Sequence, residues 1–86
     1  MVEVLYFSAP WCNPCKTFGP ALQDAATRKG FSIRKVNVET DMETTQQYGV
    51  LGLPTTVWFK DGIAKISKTG PLSDDAIDKV ILHLGA

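Results

Sequence analysis

The chain has 86 residues, which is enough for one packed core and too few for two, so we expect a single domain over residues 1–86. Its 44% hydrophobic and 21% charged residues are typical of an ordinary globular protein. Nine basic and nine acidic side chains give a formal net charge of zero, which argues against nucleic acid or an anionic membrane as a partner. No apolar run approaches the length of a membrane-spanning helix.

The first third of the sequence predicts a strand followed by a helix. Residues 2–7 form an apolar run with one charged residue, which is typical of a strand covered on both faces. The pattern over Asn13–Lys29 predicts a helix that Gly30 ends, and Pro20 removes one backbone donor inside it. The apolar residues that share one face of this helix are Phe18, Leu22, Ala25 and Ala26.

The next segment predicts a second strand and a short helix. Residues 31–39 form the strand, with apolar side chains at every second or third position. Thr40 and Glu43 stand three residues apart, as in a capping box, and predict the start of a helix that Gly49 ends.

The last part of the chain predicts a β-hairpin and a final helix. Thr55–Lys60 and residues 63–68 flank Asp61 and Gly62, a dipeptide that is a strong hairpin signal. Ser73 is expected to cap the helix that follows. The apolar stripe of that helix consists of Ile77, Val80, Ile81 and Leu84.

The predicted order of elements, βαβαββα, indicates an α/β fold. Two strands joined by a helix are expected to be parallel, whereas the hairpin makes the last two strands antiparallel. We therefore expect a four-stranded mixed sheet with helices on both faces. Because ligands of such open sheets bind beyond the carboxyl ends of the strands, the segment after the first strand is the candidate site.

That segment contains the two cysteines of the chain, Cys12 and Cys15. A structural disulfide closing so short a loop would contribute only about 2 kcal/mol. A zinc site needs four ligands, and the one histidine, His83, lies far away in the sequence. A metal or cluster shared between two chains and a reactive dithiol are the other interpretations of the pair.

A reactive pair explains more of the neighbouring residues. A thiol at a helix N-terminus lies near unpaired backbone donors and the positive end of the helix dipole, and both favour the thiolate. Cys12 has that position, whereas Cys15 is one turn further in, so we expect Cys15 to be more enclosed. Cys12 is thus the candidate nucleophile, and Cys15 the thiol that resolves the mixed disulfide.

Residues 11–16, WCNPCK, resemble the WCxPCK active-site motif of the thioredoxin family. The resemblance covers about residues 2–84 and implies a thioredoxin-like fold, a four-stranded mixed sheet flanked by three helices. It also implies that the N-terminal strand and helix of full-length thioredoxins are lacking here. The other matching blocks, in chain order, are Pro20, residues 35–38, residues 48–55, residues 59–62 and Gly70.

The resemblance implies roles for individual residues. Cys12 matches the attacking cysteine of the family and Cys15 its resolving cysteine, so that the two form a redox-active disulfide. Pro54 matches the cis-proline opposite the active site, where the backbone of Leu53 would bind an extended substrate. The other substrate-binding residues that the resemblance implies are Trp11, Gly52 and Gly70. Without the resemblance, glycines more often serve turns and an aromatic at a strand end is more often part of the core.

Three residues, Asn13, Pro14 and Lys35, are candidates for auxiliary roles. Asn13 stands where thioredoxins usually have glycine, and together with Pro14 it lies between the cysteines, where residues affect the redox poise. Tyr6 stands where thioredoxins typically have a buried aspartate that assists proton transfer to the resolving cysteine. Lys35, which matches the lysine often paired with that aspartate, therefore lacks its usual partner. We expect Lys35 to be exposed, and water or Lys35 to assist deprotonation.

These features predict a protein-disulfide reductase that needs no metal or organic cofactor, since the dithiol itself carries the electrons. Its expected partners are disulfide-containing proteins and an upstream reductase similar to thioredoxin reductase. The size of the chain is closer to that of glutaredoxin, which leaves glutathione as the alternative electron donor. We expect the protein to lie in the reducing cytoplasm, because the sequence shows neither a signal peptide nor a secreted disulfide framework. We also expect it to be a monomer. A non-catalytic interaction module with the same fold is the remaining alternative.

Overall fold

The computed structural model describes residues 1–85, so Ala86, the last residue of the predicted domain, lies outside the described residues. Over this range the order of elements is βαβαββα, as predicted. The strands are β1 (Val2–Ser8), β2 (Ser32–Asn37), β3 (Thr55–Lys60) and β4 (Ile63–Thr69). The helices are α1 (Asn13–Lys29), α2 (Met42–Gln47) and α3 (Asp74–His83).

The four strands form one mixed sheet in the order β2-β1-β3-β4. β1 runs parallel to β2, to which α1 connects it, and antiparallel to β3. The hairpin strands β3 and β4 are antiparallel. These directions confirm the prediction of a mixed sheet and place the carboxyl end of the central strand β1 beside the start of α1.

Alternate side chains of β1 enter two separate core clusters. Val4 and Tyr6 pack with residues of α1 and α3 and with Trp58. Leu5 and Phe7 pack with Val36 and Val57 in the second cluster, against which Tyr48 at the end of α2 also packs. The sheet is therefore covered on both faces, as the apolar run of the first strand predicts.

The ends of α1 follow from local chemistry. Cys12 is the N-cap, and Pro14 lies in the first turn, where its missing N–H would have no helical partner. Gly30 ends the helix with φ 79° and donates its amide to the carbonyl of Ala26. Glycine adopts this left-handed conformation at no steric cost, which confirms the predicted end of the helix.

The predicted capping box at Thr40 is wrong. The cap of α2 is Asp41, whose carboxylate accepts hydrogen bonds from the Thr44 amide at 3.1 Å and the Thr44 hydroxyl at 2.8 Å. Thr40 belongs instead to the turn after β2, where its amide donates to the carbonyl of Asn37. β2 is correspondingly shorter than residues 31–39, because this turn begins at Asn37.

The C-terminal elements agree with the predictions. Asp61 and Gly62 have φ values of 52° and 82°, as a type I′ hairpin turn requires. The Ser73 hydroxyl accepts a hydrogen bond from the Ala76 amide at 3.1 Å and caps α3. In the apolar stripe of this helix, the buried residues are Ile77 and Val80, and the half-buried ones are Ile81 and Leu84.

Candidate active site

Cys12 and Cys15 form a disulfide at the carboxyl end of β1, in the first turn of α1. The Cys12 amide donates to the carbonyl of Ala9 at 3.1 Å, which fixes the chain as it turns into the helix. The Cys15 amide donates to the sulfur of Cys12 at 3.3 Å. The sulfur of Cys12 thus caps the helix, and a backbone donor of this kind favours the thiolate when the disulfide is reduced.

The two cysteines differ in their surroundings and not in their burial. Cys12 is 4% exposed and Cys15 is 6% exposed, so the expected stronger enclosure of Cys15 is wrong for the disulfide form. Cys12 lines one cavity and Cys15 another. We call them the front groove and the rear cavity, respectively. Both cysteines are therefore buried, and each lies beside a different cavity.

The front groove has a volume of about 580 Å³ and a largely apolar lining. Predicted site residues that line it, besides Cys12, are Trp11, Asn13, Pro14, Gly52 and Leu53. Trp11 is 63% exposed, so the aromatic ring is a surface feature and not part of the core. A peptide lying in this groove would contact apolar side chains on its way to Cys12.

Other residues that line the front groove were not singled out from the sequence. Leu51 is fully exposed, and Thr45 and Val50 come from the end of α2 and the loop after it. Val38, just after β2, completes this apolar wall. For Val50 and Leu51, the sequence did contain an indication of a place in the groove. Both residues directly precede Gly52, inside the segment that resembles the family.

The peptide bond between Leu53 and Pro54 is cis. The Pro54 carbonyl accepts a hydrogen bond of 2.7 Å from the amide of Gly70, which has φ 96°. Within residues 1–85, neither Pro54 nor Gly70 is among the residues that line the front groove. The hydrogen bond thus connects Gly70 to the loop that carries Leu53, and the substrate-binding roles of Pro54 and Gly70 stay predictions.

Tyr6 and Lys35 lie on the other side of the disulfide, at the rear cavity of about 610 Å³. Tyr6 is 4% exposed, and its hydroxyl donates a hydrogen bond of 3.1 Å to the carbonyl of Cys15. Burial raises the pKa of Tyr6 above its ordinary value of 10.0. Lys35 is exposed, as expected, and lines the cavity together with Cys15.

Among residues 1–85, no group of three or more histidine, cysteine, aspartate or glutamate side chains could hold a metal ion. His83 lies at the exposed end of α3. The helices of residues 1–85 include none that combines the length and apolarity needed to cross a bilayer.

Known proteins share both the sequence pattern and the fold. The sequence model described as Thioredoxin matches residues 2–83. A thioredoxin of Rhodospirillum rubrum is 41% identical over 68 residues, which are 77% of this chain and 65% of that protein. A thioredoxin of Pseudomonas aeruginosa is 39% identical over 76% of this chain and 62% of its own length. The chain thus spans a little under two thirds of the length of these two relatives.

A structural comparison gives the same result. A mutant thioredoxin from Halobacterium salinarum superposes with a TM-score of 0.90 at 29% identity, over 99% of this chain and 75% of that one. The oxidised thioredoxin of Plasmodium falciparum superposes with a TM-score of 0.80 at 26% identity, over 99% and 82% of the two chains. The matched sequence model and the shared fold both extend over nearly all of the described residues. The chain belongs to the thioredoxin family.

Proposed function

We propose that this protein is a thiol–disulfide oxidoreductase that reduces disulfide bonds in other proteins. The observation that carries the proposal is the Cys12–Cys15 disulfide at the N-terminus of α1, next to an open apolar groove. A structural disulfide would need neither the groove nor an exposed tryptophan beside it. Membership of the thioredoxin family supports the same conclusion.

In the first step, the Cys12 thiolate attacks a substrate disulfide that lies in the front groove. The substrate chain contacts Trp11 and pairs with the backbone of Leu53, both of which line the groove. One sulfur of the substrate bonds to Cys12, and the other leaves as a thiolate that takes up a proton. The apolar lining favours a disulfide flanked by apolar residues.

In the second step, the thiolate of Cys15 attacks the sulfur of Cys12. The bond between Cys12 and the substrate breaks, the second substrate sulfur leaves as a thiolate, and the Cys12–Cys15 disulfide forms. Two electrons have then passed from the dithiol to the substrate. The sequence separation of three residues keeps the two sulfurs within reach throughout.

Thiolate formation explains only part of the rate of thiol–disulfide exchange. For thiols in general, a decrease of the pKa from about 8.5 to about 7 raises the thiolate fraction at neutral pH from roughly 3% to roughly 50%. The intrinsic nucleophilicity of the thiolate decreases about fivefold over the same range, which leaves a net gain of about threefold. Holding the two sulfurs and the substrate in attack geometry therefore supplies most of the remainder.

The reaction requires no metal or organic cofactor, because the cysteine pair is itself the electron carrier. We propose that the domain, over residues 1–86, acts as a monomer in a reducing compartment such as the cytoplasm. An upstream reductase regenerates the dithiol. Turnover with a flavoprotein reductase and NADPH, compared with turnover with glutathione, identifies the donor.

The proposal is tested by trapping the intermediate with insulin as the disulfide substrate. Cys15→Ser lacks the resolving thiol, so it is expected to accumulate a covalent adduct with an insulin chain that mass spectrometry detects without reductant. Cys12→Ser is the matched control and is expected to form no adduct. Equal adduct formation by both variants, or none by either, would show that the assigned roles are wrong.

A further inference from the structure

A buried tyrosine contacts the turn that carries the disulfide. Tyr6 lies in β1, paired with Lys35 of β2 and Thr56 of β3, two residues before the strand ends. Its hydroxyl donates a hydrogen bond of 3.1 Å to the carbonyl oxygen of Cys15. The central strand of the sheet is thereby connected directly to the first turn of α1.

Two neighbours on α1 fix the position of this phenol. The ring of Phe18 packs against it edge to face, with ring centroids 5.8 Å apart. A Cβ atom at Gly19 would lie 3.3 Å from the hydroxyl oxygen and 3.6 Å from the nearest ring carbon. The absence of a side chain at Gly19 therefore provides the space in which the hydroxyl reaches Cys15.

The turn that Tyr6 contacts has fewer backbone hydrogen bonds than an ordinary helical turn. Pro20 has no N–H, so the carbonyl of Lys16 has no helical partner four residues later. The adjacent carbonyl, that of Cys15, accepts the bond from Tyr6. A carbonyl oxygen has two lone pairs, so the phenol adds a bond to this turn without displacing a helical one.

We propose that Tyr6 is a positioning residue for the second thiol-exchange step, because it holds the turn from which Cys15 attacks Cys12. The inference rests on the proposed function of the two cysteines. In this step the thiolate of Cys15 forms a bond to the sulfur of Cys12, and the bond from Cys12 to the substrate breaks. The hydroxyl of Tyr6 forms and breaks no bond to sulfur; it fixes the backbone that carries the attacking side chain.

Tyr6 acts as a hydrogen-bond donor and not as the base in this step. Burial raises the pKa of the phenol, so it remains protonated at neutral pH. The other titratable side chains that line the rear cavity are Cys15, Lys16 and Lys35, and both lysines are exposed. A phenol that stays protonated does not accept the proton of the Cys15 thiol, so Tyr6 is not the base in this step.

Tyr6→Phe removes the hydroxyl and keeps the ring, which makes it the test variant. The reduced protein is mixed with the disulfide of thionitrobenzoate, which releases one coloured thiolate when Cys12 attacks and a second when Cys15 resolves the adduct. The first release depends on the concentration of the probe and the second does not, so stopped-flow absorbance separates the two steps. Tyr48→Phe is the matched control, since Tyr48 packs in the other core cluster, with Phe7 and Phe59.

In Tyr6→Phe we expect the second release to slow by about twofold to tenfold, the range given by the loss of one hydrogen bond. The first release stays unchanged, as does the pH at which the second release reaches half its maximal rate. Tyr48→Phe changes neither release. A general loss of structure would not slow one step alone, because both steps use the same folded protein.

Equal slowing of both releases in Tyr6→Phe, or no slowing of the second, would overturn the positioning role. A shift of the pH midpoint would also overturn it, since Tyr6 would then take part in proton transfer. Failure of the proposed function gives a different result. In that case Cys15→Ser would still release two thiolates, or Cys12→Ser would still show the fast first release, whatever the result with Tyr6→Phe.

Discussion

The N-terminal and C-terminal ends of α1 lie in contrasting surroundings. At the N-terminal end, the disulfide lies beside exposed apolar side chains, and no acidic residue is present in the first turn. At the C-terminal end, Arg28 bonds to Asp74, and Lys29 bonds to Asp74 at 3.1 Å and to Asp78 at 2.6 Å. The second set of contacts connects α1 to α3.

The reactive cysteines and the contacts that attach α1 to α3 thus lie at opposite ends of one helix. A carboxylate in the first turn would be a favourable helix-capping charge, but it would also raise the pKa of a neighbouring thiol. The chain instead caps this end with the sulfur of Cys12. The ion pairs that hold α3 lie at the far end, at Arg28 and Lys29, whereas the charged side chain nearest the cysteines is that of Lys16. Variants at the two ends are therefore expected to affect different properties.

The largest effects on stability are expected from substitutions at two glycines with positive φ. Gly70 has φ 96° beside Pro54, and Gly30 has φ 79° at the C-terminal end of α1; a Cβ would meet no neighbour at either position. Gly70→Ala and Gly30→Ala are each expected to lower the free energy of unfolding by about 1–2 kcal/mol, the cost of a left-handed alanine. Denaturant titration measures this change.

The two glycine variants should differ in activity. Gly70 donates its amide to the Pro54 carbonyl, so a shift there displaces the loop that carries Leu53. We expect Gly70→Ala to lower insulin reduction by about tenfold through misplacement of the substrate, and Gly30→Ala to leave it unchanged. Equal activity of the two variants would contradict the functional separation of the loop that carries Leu53 from the C-terminal end of α1.

An intermediate effect, on substrate binding, is expected at Leu51, the exposed leucine of the front groove. Leu51→Ser should raise the KM for insulin by about twofold to fivefold, as for the loss of about 0.5–1 kcal/mol of apolar contact. Leu82→Ser is the matched control, because Leu82 is also a largely exposed leucine, on α3. Both variants should keep the thermal stability of the parent. A change in kcat without a change in KM would indicate that Leu51 does not bind the substrate.

The smallest effect on stability is expected from a substitution in the ion-pair cluster, which consists of Arg28, Lys29, Asp74 and Asp78. Hydrogen bonds from Arg28 and then Lys29 lower the pKa of Asp74 below its ordinary value of 3.8. A carboxyl group with a lowered pKa stabilises the fold above 3.8, and this contribution is lost as the pH falls through the folded-state value. Asp74→Asn should therefore lower Tm at pH 7 by less than either glycine variant and leave activity unchanged.

The pH dependence provides the control for this last variant. Because Asp74 is exposed, the difference in Tm between Asp74→Asn and the parent should shrink in high salt. It should also vanish at pH values below the folded-state pKa of Asp74, where the parent carboxyl is protonated. A difference that persists in acid would show that the variant acts by a route other than charge.

The sequence predicted most of the fold because its signals are local. The helix Asn13–Lys29 and the turn at Asp61 and Gly62 both have the predicted bounds. The sequence pattern predicts Thr40 as the cap of α2, but the cap is Asp41. Local sequence does not distinguish the two, because both residue types cap helices well. The choice between them depended on the turn at Asn37, which takes up the amide of Thr40.

The site was predicted less completely than the fold. Cys12 and Cys15 were found from their spacing and their place after a strand, and the disulfide joins them. Val38 and Thr45 were missed, because residues on separate elements become neighbours only when those elements pack beside the groove. The expected roles in substrate binding remain predictions for all five residues: Trp11, Gly52, Leu53, Pro54 and Gly70.

The order of elements and the position of the cysteine pair follow from the amino-acid sequence, because spacing, periodicity and turn residues act over a few neighbouring positions. The family was indicated by the resemblance of residues 11–16 and the other matching blocks. The surroundings of the two cysteines depend on packing between elements. Cys12 lines the front groove, Cys15 lines the rear cavity, and the hydroxyl of Tyr6 reaches the Cys15 carbonyl, nine residues away in the chain. The physical reason is that this contact depends on how α1 packs on the sheet and on the space left at Gly19, and no local pattern encodes either.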